Sequence, residues 1–250
     1  MKSWLALFGY PLLALSAAAS ETFVFSGIAS NTDGVQLYQE EHRVTGSCVE
    51  GHWRPEQQNV DYLRQDSPSP FAAKALTYKD SPLRPEVDFK QPDFSEHLLV
   101  RHDGDETLKV EWTMSDQPSK RWRVPFEDQL VVDAGFDHFV RANWQALTDG
   151  NAVDFSVLAP TRGESYDFVA EPAPDKLAGA DHSFRIRPAG MFLRVLVDPI
   201  RLGYRDDGFL THYAGLGNIR RNQDENHVVS IRYQVIEAPG CSLLPSSQSR

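Results

Sequence analysis

The chain has 250 residues, a size at which about 70% of the unfolded surface can be buried around one core. Its content of 41% hydrophobic and 24% charged residues is ordinary for a globular protein. The formal net charge of −10 argues against a nucleic-acid partner and against docking on an anionic membrane, because both need clustered lysine and arginine.

The N-terminal segment has the layout of a secretory signal peptide. Lys2 is followed by an apolar run over residues 4–15 and then by small residues up to Ser20. This run is too short for a permanent membrane anchor, which needs about 20 residues, and no second long run follows it. The sequence therefore predicts a signal peptide over residues 1–20, no transmembrane segment, and a periplasmic or secreted bacterial protein.

The chain contains two cysteines, Cys48 and Cys241. In an oxidising compartment an even pair favours a disulfide, which would join an early strand to the C-terminal tail. The alternative is two free or separately buried thiols.

Strand patterns separated by turn signals fill residues 21–130. A turn at residues 31–34 precedes a strand that starts at Val35, and Asp103-Gly104 separates two alternating runs as a hairpin turn does. Further strands are predicted around residues 60–62, 72–78 and 121–124. Prolines mark loops or sheet edges because they cannot donate to a central ladder: Pro68, Pro70, Pro82, Pro85 and Pro92.

Residues 133–149 break this pattern. Apolar residues recur there at the spacing of one helix face: Phe136, Phe139, Val140, Trp144 and Leu147. Asp133 is a good N-cap, and Gly150 stands where a helix ends. The spacing predicts one amphipathic helix over about residues 133–149.

Strands return after the helix. They are predicted near residues 152–158, 166–170, 184–187, 200–204, 209–214 and 228–236. Residues 191–197 are ambiguous between a buried strand and a short helix, and residues 243–250 are expected to fray. The sequence thus predicts a single β-rich domain over residues 21–240 and a tail over residues 241–250.

The predicted fold class is mainly β (α+β). A curved antiparallel sheet or half-barrel packed around the helix buries the apolar face of each element. A closed barrel with the helix outside is the alternative.

No catalytic or cofactor motif is found, and we predict no cofactor and no metal. The run from Gly215 to Arg220 lacks the third glycine of a dinucleotide fingerprint, which leaves a glycine-rich connection with a solvated Arg220. Glu40 and His42 share one face of a strand and could supply two metal ligands. An exposed, charged strand face is the favoured interpretation of that pair.

Two carboxylates, Asp133 and Asp137, crowd the first turn of the predicted helix. Such a pair could do acid–base work, as in glycosidases. Complementing the helix dipole is the favoured interpretation.

Large aromatic side chains lie on elements that should face inward. They are more often core than ligand cage, but a sheet wider than its helix would leave some of them lining an apolar pocket. The candidate ligand-binding residues are Phe136, Phe139, Trp144, Trp112 and Tyr204.

Four pieces of the sequence resemble an uncharacterised family of secreted bacterial β-rich proteins. They are residues 38–42, 74–78, 132–141, and 213–219 together with 231–233. In architecture these proteins are similar to the periplasmic lipoprotein-carrier (LolA-like) half-barrels, in which a curved antiparallel sheet wraps helices and can hold acyl chains. The resemblance implies a half-barrel and no established activity.

The favoured function is a non-catalytic binding or accessory protein, expected to be a monomer, that holds an apolar or lipid-like ligand between sheet and helix. One alternative is a cell-envelope hydrolase, which predicts that Asp, Glu and His side chains converge in a cleft with shifted pKa values. Its residues would be Glu40, His42, Asp133 and Asp137. The other alternative is an envelope assembly factor that acts through a sheet edge.

Overall fold

A computed structural model describes residues 20–115, 117–190 and 198–245 of the protein. Residues 1–19 of the predicted signal peptide, the ambiguous segment 191–197 and residues 246–250 of the tail lie outside the described residues. The described part forms one sheet of 15 strands together with two short α-helices.

The strands follow one another closely along the chain. They are β1 (Ser20–Ser30), β2 (Gln36–Val49), β3 (His52–Leu63), β4 (Ala72–Thr77), β5 (Glu86–Gln91), β6 (Glu96–His102), β7 (Thr107–Thr113), β8 (Lys120–Pro125), β9 (Leu130–Val131), β10 (Val153–Ala159), β11 (Glu164–Pro172), β12 (His182–Pro188), β13 (Ile200–Tyr204), β14 (Leu210–Arg220) and β15 (Asn226–Glu237). The helices α1 (Gly135–Ala142) and α2 (Trp144–Thr148) lie between β9 and β10, and a 3-10 turn, Pro92–Phe94, lies between β5 and β6.

The sheet consists of two halves that meet at β1. This strand pairs with β2 on one side and with β15 on the other, and the order runs outward to β8 in one half and to β9 in the other. Neighbours are antiparallel throughout, apart from the parallel pair β9 and β10. Within the described residues the sheet stays open between β8 and β9, so the mainly β prediction is confirmed and the closed-barrel alternative is wrong.

The sheet curls so strongly that its two halves contact each other across the concave face. The backbone N–H of Arg220 on β14 donates to Gln91 Oε1 on β5 at 3.0 Å, and its guanidinium pairs with Glu96 on β6 at 2.8 Å. Beyond β9, the N–H of Val132 donates to Leu83 O at 2.9 Å. The predicted curvature is therefore confirmed.

Two predicted turns, at Gly34 and Gly104, are confirmed by left-handed glycines, and Gly208 in the β13–β14 turn is left-handed too. Gly34, Gly104 and Gly208 have φ of 81°, 81° and 80°, a region that L side chains rarely adopt. Three strands escaped prediction: β1, β5 and the two-residue β9. β1 directly follows the predicted signal peptide, and β5 lies between the loop prolines Pro85 and Pro92.

The single helix predicted over residues 133–149 is wrong in one respect, because it breaks into α1 and α2 at Asn143. The φ of −107° and ψ of 19° at Asn143 are not helical, and its side-chain amide donates to Phe139 O at 2.9 Å. Asp133 is not the N-cap. That position is Ala134, and no side chain caps α1 there. Gly150, with φ of 93°, does end the helical segment.

Helix α1 lies inside the concavity. Phe139 and Val140 are buried in an apolar cluster with residues of β9 to β14, and the ring of His138 contacts Tyr78 after β4 with 5.3 Å between centroids. Gly135 sits against the carbonyl of Leu83, where an added Cβ would overlap it. The sheet therefore wraps α1 from both halves.

The predicted disulfide between Cys48 and Cys241 is present. It ties the C-terminal tail to the β2–β3 hairpin, where Trp53 N–H donates to Ser242 O at 2.8 Å. His52 Nδ1 lies 2.8 Å from Leu244 O. The expectation that the tail frays from residue 243 is therefore wrong for its described residues, because these contacts hold it on the sheet.

Candidate functional site

Polar side chains converge on the concave face beneath α1. We call this set the interior cluster: Glu40, His42, Gln58, Lys74, Tyr78, Asp133 and Tyr233. Glu40 and His42 point inward because residues two apart on β2 share a face, and they are 6% and 8% exposed. The exposed strand face expected for these two residues is therefore wrong, whereas Glu41 between them does face solvent.

Four hydrogen bonds link five members of the interior cluster into a chain. Tyr233 Oη donates to Glu40 Oε2 at 2.9 Å, and His42 Nε2 lies 3.0 Å from the same oxygen. On the other side of the imidazole, Gln58 Nε2 lies 3.0 Å from His42 Nδ1. Tyr78 Oη donates to Gln58 Oε1 at 2.8 Å. His42 therefore bridges the Glu40 carboxylate and the Gln58 amide.

The hydrogen bond between Tyr233 and Glu40 crosses β1 and depends on a missing side chain. Gly27 pairs with Tyr233 on β15 and with Glu40 on β2. A Cβ at Gly27 would lie 2.5 Å from the Tyr233 ring. The glycine therefore opens the path by which the tyrosine reaches the carboxylate.

An ion pair connects β4 to the start of α1. Lys74 Nζ lies 2.7 Å from Asp133 Oδ1, and both side chains are largely buried. The same oxygen accepts a hydrogen bond from the Ala134 N–H at 2.7 Å. Asp133 has φ of 46°, a left-handed conformation that is uncommon for a residue other than glycine. Its carboxylate serves this ion pair and does not cap the helix.

A second ion pair lies on α1 itself. Asp137 Oδ2 is 2.6 Å from Arg141 Nη2, and Tyr204 Oη donates to Asp137 Oδ1 at 3.1 Å. Arg141 Nε also donates to Gly208 O at 2.9 Å, which joins α1 to the β13–β14 turn. Asp137 thus lies in a different ion pair from Asp133.

Burial shifts the titration of groups in and around the interior cluster. Burial, aided by the charge of Arg141, lowers the pKa of His138 to about 3. Burial also raises the pKa of Asp137, against the opposing charge of Arg141. Burial and then the charge of Glu40 raise the pKa of a set of tyrosines: Tyr38, Tyr62, Tyr213 and Tyr233. His138 and these tyrosines are therefore neutral at pH 7.

Tyr38 carries the unsatisfied group of this region. Its side chain is 2% exposed, and its hydroxyl has no hydrogen-bond partner among the described residues. It lies on the inward face of β2, two residues before Glu40, and its ring is 6.0 Å from that of Tyr62. Because leaving a buried hydroxyl unpaired costs about 1–3 kcal/mol, this position is suited to a polar atom from outside the chain.

Four of the five predicted aromatic residues lie around α1 and α2. Phe139 stacks on Phe155 at 4.3 Å between centroids, and Phe136 lies 6.0 Å from Tyr213. Trp144 packs edge-on against Tyr204. The fifth residue lies apart. Trp112 on β7 donates to Glu96 Oε1 at 2.8 Å and belongs to the apolar cluster of the other half of the sheet.

The structure brings Glu40 and His42 into direct contact and places Asp133 and Asp137 nearby in separate ion pairs. Sequence reasoning missed several residues that complete the arrangement: Gly27, Gln58, Lys74, Tyr78 and Tyr233. Lys74, Tyr78 and Tyr233 lie within the segments that resemble the secreted bacterial family. That resemblance was the one sequence feature that could have pointed to them. Nothing in the sequence indicated that Gly27 makes room for Tyr233.

One group of metal-ligating side chains lies close enough to share an ion within the described part of the chain: Glu21, Cys48 and Cys241. Both sulfur atoms form the disulfide, so they are not available as thiolates. Neither α1, α2 nor any other helix in the described ranges is long and apolar enough to cross a bilayer.

Comparisons with known proteins identify no family. No family model matches the chain, and no curated protein matches its sequence. Among the solved structures that match, we describe two that are similar over most of its length. A beta-barrel-like protein of the domain of unknown function DUF1849 from Brucella abortus has a TM-score of 0.38 and 9% identity, covering 90% of this chain and 98% of its own.

The second structure is described as an outer membrane lipoprotein-sorting protein domain from Vibrio parahaemolyticus. It has a TM-score of 0.27 and 11% identity, and the match covers 87% of this chain and 83% of that one. Because both TM-scores are below 0.5, we draw no functional conclusion from either protein.

Proposed function

We propose that the protein is an extracytoplasmic binding protein that holds a lipid-like ligand between the concave face of the sheet and α1. The observation that carries this proposal is the buried hydroxyl of Tyr38, which has no hydrogen-bond partner among the described residues and lies on the same inward face of β2 as Glu40. A purely structural core would gain by filling this position with apolar atoms. The interior cluster would receive the polar end of the ligand.

The apolar part of the ligand would lie along the aromatic side chains next to the interior cluster. Phe136 is half-buried and lies 6.0 Å from Tyr213 between ring centroids. Phe139, Trp144 and Tyr204 would form the wall behind it. Trp112 would extend the wall in the other half of the sheet.

The disulfide supports the extracytoplasmic location, because such bonds persist in oxidising compartments. The proposal includes export by the signal peptide predicted over residues 1–20 and action as a monomer. Mass determination of the mature protein, which we expect to begin near Ser20 or Glu21, tests the cleavage.

The two alternatives receive less support from the geometry. A hydrolase would need a free nitrogen on His42 as a base, but both ring nitrogens already have partners. An assembly factor would need a long open edge. The edge strand β8 has six residues, carries Lys120, Arg121 and Arg123, and ends in Pro125, features that discourage strand addition.

Native mass spectrometry of the mature protein after gentle purification tests the binding function. We expect a discrete adduct that disappears after extraction with organic solvent. The extracted protein should then bind the fluorescent apolar probe N-phenyl-1-naphthylamine saturably. Phe136→Ala should weaken probe binding about tenfold, the equivalent of one aromatic contact.

Leu216→Ala is the matched control, because this apolar side chain is exposed on β14 and should leave probe binding unchanged. Absence of both an adduct and saturable probe binding would refute the proposed function.

A further inference from the structure

The charged groups beneath α1 do not balance. Lys74 pairs with Asp133, and Arg141 pairs with Asp137. His138 is neutral because its pKa lies near 3. Glu40 is the remaining carboxylate, and it contacts no lysine or arginine among the described residues.

The hydrogen bonds of Glu40 leave one of its oxygens open. Tyr233 and His42 both bond to Oε2, and no described residue donates to Oε1. The imidazole of His42 also contacts the Gln58 amide, so Glu40 shares this neighbour with a second partner and has no lysine or arginine beside it in the described part of the chain. A buried carboxylate without a lysine or arginine partner is costly, which favours a cation supplied from outside the chain.

Three tyrosines neighbour this carboxylate in the sheet. Tyr62 stands directly opposite Glu40 in the β2–β3 register, Tyr233 reaches it across Gly27, and Tyr38 precedes it on the same face. The faces of such rings attract cations through their quadrupoles. The unpartnered Tyr38 oxygen can also accept a hydrogen bond from an ammonium N–H.

We infer that the polar end of the ligand is a protonated alkylamine, bound by Glu40 among Tyr38, Tyr62 and Tyr233. This inference rests on the proposed function, because it names the chemistry of the ligand at the same site. It also predicts that the site rejects anionic head groups. Burial and then the charge of Glu40 raise the pKa of Tyr62 and Tyr213, which fits a negative potential at their hydroxyls.

Three amphiphiles with the same chain separate the head group from the tail: dodecylamine, dodecanol and dodecanoate. Each is titrated below its aggregation concentration at pH 7 into solvent-extracted protein, and displacement of N-phenyl-1-naphthylamine is measured. We expect dodecylamine to bind about tenfold or more tightly than dodecanol, the size of a desolvated cation–aromatic and ion-pair interaction. Dodecanoate should bind more weakly than dodecanol.

Two variants assign the preference to its residues. Glu40→Gln keeps the shape of the side chain and should bring dodecylamine to within about threefold of dodecanol. Tyr38→Phe removes only the hydroxyl and should reduce the preference for the amine while the protein stays folded. Glu41→Gln is the control, because this neighbouring carboxylate faces solvent and should leave the preference intact.

The outcomes are distinguishable. If none of the three amphiphiles binds, the proposed function fails, and the inference fails with it. Equal binding of dodecylamine and dodecanol, or tighter binding of dodecanoate, would overturn the amine assignment and leave the binding function standing. The same holds if Glu40→Gln keeps the full preference for the amine.

Discussion

At Gly27 the absence of a side chain decides whether Tyr233 reaches Glu40. We predict that Gly27→Ala destabilises the protein by about 1–3 kcal/mol, because the new methyl group overlaps the Tyr233 ring in a packed interior. Urea unfolding followed by tryptophan fluorescence measures the loss. Gly190→Ala is the control, because no described residue lies within 4 Å of a Cβ there. Equal stability of the two variants would contradict the close approach.

His138 should make the protein less stable in mild acid. Its pKa is about 3 in the folded protein and about 6.5 unfolded, so the unfolded state binds the proton first as the pH falls. Stability should therefore be complete above about pH 6.5 and decline toward pH 3, by up to about 1.4 kcal/mol per pH unit. Burial lowers the pKa of His212 and His227 too, and they act in the same direction.

His138→Phe isolates this contribution. The phenyl ring keeps an aromatic contact with Tyr78 and removes the titrating group. The free energy of unfolding from urea curves at pH 7.5, 6.5 and 5.5 should fall less steeply with acid in the variant than in the native protein. The raised pKa of Asp137 acts in the opposite direction and remains in both proteins. Parallel slopes would show that His138 does not carry the effect.

For single residues, the sequence indicated which side chains could interact better than it indicated whether they are buried. Glu40 and His42 were identified as a pair on one strand face, and the pairing is found. Their burial was not predicted, because alternation alone does not tell which face of a curled sheet is covered. Arg220 was expected in solvent and instead pairs with Glu96, 124 residues away in the chain. No local pattern carries such a contact.

At the scale of elements, the ion pair between Lys74 and Asp133 fixes α1 to β4. We predict that Lys74→Met destabilises the protein by about 3–5 kcal/mol, because it leaves the Asp133 carboxylate buried without its partner. The double variant Lys74→Met/Asp133→Asn should recover much of this loss. Urea unfolding of the native protein, Lys74→Met, Asp133→Asn and the double variant gives the coupling energy between the two side chains.

Lys79→Met is the matched control for this cycle. Lys79 pairs with Glu86 at 2.8 Å, but its side chain is largely exposed, so its removal should cost about 0–1 kcal/mol. A loss at Lys74 no larger than the loss at Lys79 would mean that the pair does not hold α1 in place.

Elements with strong local signals were predicted well. Asp103-Gly104 specifies the β6–β7 turn through a left-handed glycine, and it was identified without tertiary information. The apolar spacing at residues 136–147 identified the helical segment but not its break. That break depends on Asn143, whose side chain competes for the carbonyl of Phe139. The spacing of apolar residues does not indicate where a side chain competes with the backbone for a helix carbonyl.

At the scale of the whole molecule, the fold depends on joining distant parts of the chain. Pairing of β1 with β15 brings the two ends of the domain together, and contacts such as Arg220 with Glu96 join the halves across the concave face. The sequence predicted the curved sheet because its strands and its amphipathic helix each have an apolar face to bury. The order of the strands needed the structure, because it is set by pairing between segments far apart in sequence.

The disulfide joins distant parts of the chain covalently. It joins residues 193 positions apart and holds the tail on the β2–β3 hairpin. Glu21 accepts the Gly240 N–H at 2.6 Å, and Leu244 packs on Gly208 in the turn that Arg141 contacts. Cutting the disulfide should therefore loosen the end of the sheet nearest α1 as well as the tail.

We predict that Cys48→Ser/Cys241→Ser lowers the free energy of unfolding by about 2–5 kcal/mol, because a long loop is no longer closed in the unfolded chain. Urea unfolding with and without dithiothreitol measures it, and reduction should shift the native protein but not the variant. Hydrogen exchange should rise at residues 240–245 and at the β13–β14 turn. An increase in hydrogen exchange that is confined to the tail would show that the disulfide-linked tail does not stabilise the β13–β14 turn. The contact between α1 and that turn would then depend on Arg141.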